Sequence, residues 1–489
     1  MINAESPGKR TSLARLLLPG APRLPGDVRL YPRVRPYARY ESYDRFRLAE
    51  KTSVKRRSFA EWSAELVQAR EDLAEVIQRI RTYLPGFGGE GLDYPEIADS
   101  ATPKRLLVYL LTTSRGGLAL LTPTRPQALT PEHVVWLDDF TTAELDELLV
   151  QRHPSGEVRG GYLVGQLTGD LDQLTAAVTE HIRILRRKVL GPVCKRLTDL
   201  GVAAATIIPA GRLSLLPLPA AAPAGFTIAL APSARALRRA SRTLPEPTTK
   251  TPVLLAVGNP ASVPARWTEL EYAGLEVRAI KQFFGVSSRR ILLEDAATAR
   301  AVLRCLPGAT HLHFACHGAF DRDQPLDSAL YLADGDRITL RDLLAGDVDL
   351  SGQRLAVLSA CQTGITEFEQ VPDEVIGLPA GFLQAGVPGV VATLWPISDL
   401  STAVLVTEFY RQLLIERRDP ATALTRARRH LRDATAQELA EWFDHRYTDS
   451  GGTDMAAYEA ATDLRSRHEP PDRPYADPVY WAGFVYTGP

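Results

Sequence analysis

The chain has 489 residues, of which 45% are apolar and 24% charged, and its 57 Lys and Arg nearly balance its 58 Asp and Glu, giving a net charge of −1. This composition is typical of a globular protein, and it excludes a disordered chain, a collagen and a polycation that coats nucleic acid. The charge balance is local, because residues 1–57 carry 14 basic and 5 acidic residues while residues 58–489 carry 43 and 53. The length predicts about three folding units.

The apolar runs fall short of the roughly 18 residues that a membrane-spanning helix needs, and the basic start lacks the apolar core of a secretory signal. We therefore expect a cytoplasmic protein without membrane contact.

The four cysteines are too few and too scattered for a disulfide framework, and none forms a C-x-x-C pair. They are Cys194, Cys305, Cys316 and Cys361. The informative question is whether one of them is a nucleophile.

The first segment, residues 1–57, mixes Arg, Tyr and Pro without periodicity, which predicts a flexible tail. A partner-binding or nucleic-acid-touching arm is the less favoured alternative. Residues 58–84 form a predicted amphipathic helix, because apolar side chains recur at three- and four-residue spacing. These are Trp62, Leu66, Leu73, Val76, Ile77, Ile80 and Leu84.

From residue 103 the pattern predicts an α/β unit that continues to about residue 232. Two β-rich runs joined across 114–117 indicate a hairpin, and the spacing from Thr141 to Glu144 is that of a capping box. A long amphipathic helix at 170–190 should end at Gly191-Pro192. Short apolar runs at 203–211 and 226–232 are typical of buried strands, and the Pro- and Thr-rich stretch 240–252 is the best candidate linker.

Beyond the linker, strand-like and helix-like segments alternate, which predicts a mostly parallel sheet covered by helices on both faces. Sites in such folds lie at the carboxyl ends of strands. Two polar segments are harder to interpret: an acidic loop at 363–375 that suits either a mobile substrate loop or a solvated connection, and an irregular insertion at 444–475.

Two predicted strands end in reactive side chains. "HLHFACHG" ends with His317 and Gly318, and "LAVLSACQTG" places Cys361 directly after an apolar run. If these strands are neighbours, an imidazole faces a thiol, which raises the thiolate fraction and supplies an acid for the leaving amine in acyl transfer. The backbone N–H groups of Gly318 and Cys361 are then the natural oxyanion donors.

The alternative for each of these residues is a place in the core, since cysteine is among the most buried residue types. Cys316 alternates with His317 and should point into the core. His311 and His313 share a strand face, but the sequence offers no second group with zinc-like spacing. We therefore expect no metal and no cofactor.

A series of segments resembles the CHAT proteases, relatives of caspases and separase. In chain order they are "THLHFACHGAFDRDQPLDSALYLADGDRITLRDLL", "LAVLSACQTG", "PDEVIGLPAGFLQAGVPGVVATLWPISDLSTAVLVTEFYRQLL" and "ADPVYWAGFVYTG". Weaker likeness in "IIPAGRLSLLPLPA" and "IALAPSARAL" extends the resemblance upstream, to roughly residues 103–489.

The resemblance implies a caspase-like α/β fold, a mostly parallel sheet flanked by helices, with a Cys361/His317 dyad and endopeptidase activity. Similarity to separase implies a pseudo-protease-like half at 103–240 before an active half at 250–489, preceded by the tail at 1–57 and a helical segment at 58–102. "PAG" at 209–211 replaces an acidic residue that many relatives carry there, a departure outside the dyad.

The resemblance also implies a substrate pocket. In "LWPISD", Asp399 takes the place of the acidic residue that receives a basic side chain in separase, although Asp or Ser at that point is equally typical of a helix N-cap. Ser359 stands where metacaspase-like relatives carry an acid, so this pocket offers fewer charges.

Three classes of function are consistent with the sequence. The favoured one is a cysteine endopeptidase acting on a protein substrate, controlled by a regulatory or sensor protein or by self-cleavage, without direct nucleic-acid binding. The family implies a setting in bacterial defence or cell death. The alternatives are a non-catalytic interaction module of caspase fold and a Cys-dependent amidohydrolase acting on a small molecule.

Overall fold

One large β-sheet extends across the described part of the chain. The computed structural model describes Gln68 and residues 92–489, with gaps at 125–127, 156–157, 245–250, 262–269, 322–323, 347, 361–362 and 365–376. The predicted tail at 1–57, nearly all of the predicted helix at 58–84 and most of the acidic loop at 363–375 lie outside the described residues.

Sixteen strands occur among the described residues: β1 (Leu106–Thr113), β2 (Gly116–Thr122), β3 (Val134–Leu137), β4 (Gln151–Arg152), β5 (Val158–Gly160), β6 (Ala204–Pro209), β7 (Thr227–Leu230), β8 (Leu254–Gly258), β9 (Arg289–Leu293), β10 (His311–Ala315), β11 (Gly318–Ala319), β12 (Ala329–Tyr331), β13 (Arg337–Thr339), β14 (Leu355–Leu358), β15 (Val390–Thr393) and β16 (Phe484–Thr487). Eleven of them form the large sheet, in the order β3-β2-β1-β6-β7-β16-β15-β14-β10-β8-β9.

The helices of the same region are α1 (Tyr94–Ala98), α2 (Thr142–Leu149), α3 (Tyr162–Thr168), α4 (Leu171–Leu185), α5 (Gly191–Asp199), α6 (Leu218–Ala221), α7 (Ala234–Thr243), α8 (Ala273–Ile280), α9 (Ala299–Cys305), α10 (Leu340–Ala345), α11 (Leu378–Gln384), α12 (Asp399–Tyr410), α13 (Pro420–Asp433), α14 (Ala436–Asp449) and α15 (Met455–Arg467). Short π-helical turns at Arg186–Leu190 and Arg411–Ile415 extend α4 and α12.

The sheet consists of two parallel blocks of opposite polarity. β1, β6, β7 and β16 run parallel to one another, and so do β15, β14, β10, β8 and β9. The blocks meet where β16 pairs antiparallel with β15, and β2 and β3 add an antiparallel margin. The strand ends of one block therefore lie at the opposite edge of the sheet from those of the other.

Helices cover both faces because alternate strand residues point to opposite sides. On one face a large core joins inward-facing residues such as Val108, Ile207 and Val357 to α4, α5 and α12. On the other face, Leu312, Phe314 and Leu358 pack against α9, α10 and α11. The predicted fold class, a mostly parallel α/β sheet flanked by helices, is confirmed.

The predicted hairpin is confirmed, since β1 and β2 pair antiparallel around Ser114-Arg115. The predicted stop at Gly191-Pro192 is wrong. A π-helical turn precedes it, and Pro192 falls in the first turn of α5, where a missing N–H costs nothing. Glycine fits here because a Cβ at Gly191 would lie 2.5 Å from the Arg186 carbonyl oxygen.

The segment 444–475 is helical rather than irregular. It contains the end of α14 and all of α15, which pack on each other. Their buried faces consist mainly of alanine, such as Ala440, Ala457 and Ala461, with Phe443 and Leu464 between them. A stripe of small side chains gives a weak apolar signal in the sequence, although it lets two helices approach closely.

The segments 103–240 and 250–489 both contribute strands to the one sheet, and residues 92–489 form one compact unit. The division into a pseudo-protease half and an active half stays a prediction. No helix in the part of the chain that the structure describes is both long and apolar enough to cross a membrane.

Candidate active site

His317 follows the carboxyl end of β10, in the short connection between that strand and β11. Its side chain is buried, and its backbone carbonyl accepts a hydrogen bond of 2.9 Å from the Tyr331 N–H. Gly318 follows as the first residue of β11 and pairs with Leu330 of β12. The small sheet of β11, β12 and β13 thus fixes the backbone directly after His317.

The strand that leads to Cys361 is the direct neighbour of the strand that leads to His317. β10 and β14 pair in parallel, with His313 opposite Val357 and Phe314 opposite Leu358, a constant separation of 44 residues along the chain. The condition on which the predicted Cys/His pair depends, adjacency of these two strands, is met. Cys361 itself lies outside the described residues.

The residues on either side of Cys361 are held by two buried threonines. The Thr393 hydroxyl donates to the Ala360 carbonyl at 2.7 Å, and the Thr363 hydroxyl donates to the same carbonyl at 2.9 Å. The Gly364 N–H donates to the Thr393 carbonyl at 2.7 Å. Because Ala360, Thr363 and Gly364 flank the predicted nucleophile Cys361, we call these three residues the nucleophile turn.

Sequence reasoning missed this clamp. Thr363 and Thr393 are 30 residues apart and lie on different elements, so only their position beside neighbouring strand ends could have indicated it. Glycine fits the turn best because a Cβ at Gly364 would lie only 3.0 Å from the Thr393 carbonyl oxygen, a tight contact with backbone.

Asp399, the predicted pocket residue, is half-buried at the start of α12, shortly after β15 ends. Its carboxylate accepts hydrogen bonds from the Tyr272 N–H at 3.2 Å and the Leu400 N–H at 3.0 Å. Burial raises the pKa of Asp399 above its ordinary value, the nearby Glu276 charge acts in the same direction, and the two hydrogen bonds oppose them. Asp399 is the first helical residue, and Ser398 is the N-cap, although the serine side chain makes no capping bond.

Ser359 is half-buried and directly follows β14, one residue before the nucleophile turn. Its hydroxyl oxygen is inaccessible and has no hydrogen-bond partner among the described residues.

His311 and His313 lie on the same face of β10, where His313 contacts Glu276 of α8 and Tyr410 of α12. His313 Nε2 lies 3.0 Å from Glu276 Oε1, and both side chains are buried. His311 Nδ1 lies 2.8 Å from the Thr310 hydroxyl, and burial lowers the pKa of His311 to about 4. These contacts make both residues parts of the core beneath the site.

Three of the four cysteines fall within the described residues. Cys194 on α5 and Cys316 beside His317 are buried, and Cys305 at the end of α9 is half-buried. Cys316 packs in the core on the opposite face of β10 from His313, which confirms its predicted orientation. Burial raises the pKa of the Cys194 thiol to about 12, so that this cysteine is a poor nucleophile.

The fold and this strand-edge arrangement define an α/β protein whose polar residues converge where β10, β14 and β15 end. The CHAT domain family matches residues 179–489, and the chain belongs to that family. The match is shorter than the span of roughly 103–489 inferred from the sequence, and it leaves α3 and the hairpin of β1 and β2 upstream.

Comparison with solved structures gave distant likenesses. The Arg-specific cysteine proteinase gingipain R is 10% identical, with a TM-score of 0.34, over 65% of this chain and 68% of that chain. Separase in the Saccharomyces cerevisiae separase–securin complex is 11% identical, with a TM-score of 0.36, over 89% of this chain but 25% of that chain. A search of curated proteins found no match.

Proposed function

We propose that the chain is a cysteine endopeptidase in which Cys361 is the nucleophile and His317 the acid and base. The observation that supports this most directly is the parallel pairing of β10 with β14, in which partners are 44 residues apart. His317 and Cys361 have the same separation, and each follows its strand shortly after the last paired residues. Family membership supports the same proposal.

In this mechanism the Cys361 sulfur attacks the carbonyl carbon of the scissile peptide bond as a thiolate, which His317 stabilises as an imidazolium. The oxyanion that forms accepts hydrogen bonds from the N–H groups of Gly318 and Cys361. His317 gives its proton to the departing amine, which leaves a thioester. Water then attacks the thioester, His317 takes the proton, and the free acid and the thiol are restored.

Covalent labelling tests the dyad without knowledge of the substrate. We expect a peptidyl acyloxymethyl ketone to alkylate Cys361 of the full chain, as located by peptide mapping. His317→Ala should slow this reaction by at least about 100-fold, because a positioned acid and base contributes about that much. The matched control is His133→Ala, which removes another buried histidine far from the β10 edge and should leave the rate unchanged.

The same reagents separate the proposal from its alternatives. A non-catalytic interaction module would react at Cys361 no faster than at the half-buried Cys305, and it would ignore His317→Ala. A small-molecule amidohydrolase would label with small electrophiles but cleave no member of a peptide library. Cleavage of library peptides that disappears in Cys361→Ala supports the endopeptidase.

We further propose that Asp399 receives a basic side chain on the acyl side of the scissile bond. Two of its oxygen lone pairs accept backbone N–H groups, and the half-exposed carboxylate retains capacity for a cation. Asp399→Asn should abolish any preference for Arg or Lys. The control is Asp419→Asn, another carboxylate at a helix start, where it accepts the Thr422 N–H and pairs with Arg105.

The pH dependence provides a second test of the pocket. Because the pKa of Asp399 lies above the ordinary 3.8, its charge is lost at a higher pH than that of an exposed aspartate. The preference for Arg over a neutral side chain should therefore fade on acidification at a higher pH than an exposed aspartate would give. A preference that is independent of pH and survives Asp399→Asn would contradict this role.

Control by a partner protein or by self-processing remains our proposal for regulation. The Arg-rich segment 1–57 offers basic cleavage sites to an enzyme that prefers basic residues. Mass spectrometry of the purified chain and of Cys361→Ala tests self-processing: different amino termini support it, and identical ones refute it. Strong peptidase activity of the unprocessed chain alone would refute both forms of control.

A further inference from the structure

The buried segment that follows β15 receives contacts from a helix upstream of the family match. Gln166 on α3 donates from Nε2 to the Leu394 carbonyl at 3.1 Å, across 228 residues of chain. One turn earlier on α3, the Tyr162 ring meets the Trp395 ring edge to face, with centroids 5.9 Å apart. All four side chains are buried, so water does not compete for the Leu394 carbonyl.

Leu394 directly follows the residue that holds the nucleophile turn. Thr393 accepts the Gly364 N–H and donates to the Ala360 carbonyl, as described above. The Leu394 N–H is itself bonded to the Gly483 carbonyl at 2.9 Å. The peptide groups on both sides of Leu394 are thus fixed, one by Gly483, the residue before β16, and the other by Gln166.

From this chain of contacts we infer that Gln166 is a positioning residue for the nucleophile turn, acting through the Leu394 carbonyl. This inference rests on the proposed function, because it gives the turn a catalytic purpose. A buried carbonyl that loses its donor rotates toward another one or recruits water. Rotation at Leu394 moves Thr393, and with it the two hydrogen bonds by which Thr393 holds Ala360 and Gly364.

The inference makes residues outside the matched 179–489 region part of the site. The upstream α/β segment then contributes to the site through α3, which contacts Leu394 and Trp395, the two residues that follow β15. It also predicts which upstream substitutions alter reactivity: those at the α3 contact, and not those on the distant β3 margin.

The test compares Gln166→Leu with Gln353→Leu in the full chain. Gln353 is a matched control because its Nε2 also donates to a buried carbonyl, that of Leu306, at 3.3 Å, but it precedes β14 at the edge opposite the site. Both variants should lower the midpoint of thermal unfolding to a similar extent. Only Gln166→Leu should slow alkylation of Cys361 by an arginyl acyloxymethyl ketone, by roughly 10- to 100-fold.

A second readout separates positioning from loss of stability. The pH profile of Cys361 alkylation by iodoacetamide reports the thiolate fraction, and Gln166→Leu should shift this profile toward that of an ordinary thiol. If Gln166→Leu is insoluble, Gln166→Asn decides the matter, because it keeps the amide but is too short to reach the Leu394 carbonyl.

The outcomes distinguish failure of the positioning role of Gln166 from failure of the proposed function. If wild-type Cys361 reacts slowly and independently of His317, the proposed function fails. If wild-type Cys361 reacts rapidly and depends on His317, but Gln166→Leu behaves like Gln353→Leu in both readouts, the positioning role of Gln166 fails while the proposed function stands.

Discussion

The hydroxyls of Thr363 and Thr393, which both donate to the Ala360 carbonyl, should be strongly coupled in their effects on the free energy of unfolding. The Ala360 carbonyl accepts from Thr393 at 2.7 Å and from Thr363 at 2.9 Å, so either hydroxyl alone keeps it paired. Thr393→Val should therefore cost about 1 kcal/mol, the usual net value of one hydrogen bond. Thr363→Val should cost about 1 to 2 kcal/mol, because the Thr363 hydroxyl also accepts the Thr393 N–H at 3.4 Å. Valine keeps the size and the β-branched shape of threonine.

The double variant leaves the buried Ala360 carbonyl without either donor. An unpaired buried acceptor costs about 1 to 3 kcal/mol, so the double variant should lose about 1 to 2 kcal/mol more than the sum of the single variants. Independent sites add to within about 0.5 kcal/mol. The measurement is the free energy of unfolding in urea, followed by tryptophan fluorescence.

Thr407 provides the control for this cycle. Its hydroxyl donates to the Ala403 carbonyl at 2.7 Å within α12, and it is buried like the clamp residues. Thr407→Val combined with Thr393→Val should be additive. Additive behaviour in the Thr363/Thr393 cycle as well would refute the view that both hydroxyls serve one carbonyl.

Two further predictions concern packing and pH. Gly364→Ala should cost about 1 to 3 kcal/mol, because its Cβ meets backbone atoms of Thr393, whereas Gly285→Ala, with its nearest neighbour at 3.7 Å, should change stability by less than about 0.5 kcal/mol in the same urea assay. Burial lowers the pKa of His181 and of His311 from 6.5 to about 4, so both fold as neutral rings. Since the unfolded chain binds more protons in that interval, stability falls as pH drops from 6.5 toward 4, by about 3 kcal/mol per histidine. Replacing either histidine with Gln should flatten the measured slope, and an unchanged slope would contradict its depressed pKa.

The sequence predicted the sheet beneath the site because its strands are short, continuous apolar runs bounded by glycine. "THLHFA" and "RLAVLSA" correspond to β10 and β14. That these two strands are neighbours was only a condition of the sequence argument, and the structure supplies it. The position of Asp399 at the start of α12 could also be predicted from the sequence, because a polar residue before a long apolar segment indicates a helix start.

Contacts between distant segments could not be predicted. The Thr363 and Thr393 clamp and the Gln166 bond to Leu394 depend on which elements become neighbours, and threonine or glutamine alone carries no such signal. The helices in 444–475 were missed because alanine supplies their buried faces. The helix through Gly191-Pro192 was missed because a π-helical turn shifts the proline into a new first turn.

Because β15 and β16 run antiparallel, the strands of the two parallel blocks have their carboxyl ends at opposite edges of the sheet. The residues that follow β6 and β7, including the "PAG" sequence at 209–211, emerge at the rim opposite His317. The blocks are nevertheless not separated, because Pro209 of β6 and Pro232 beyond β7 line one cavity with Gly364 and Leu394. Two upstream segments therefore reach Leu394: the ends of β6 and β7, which line this cavity with it, and α3, whose Gln166 donates to its carbonyl.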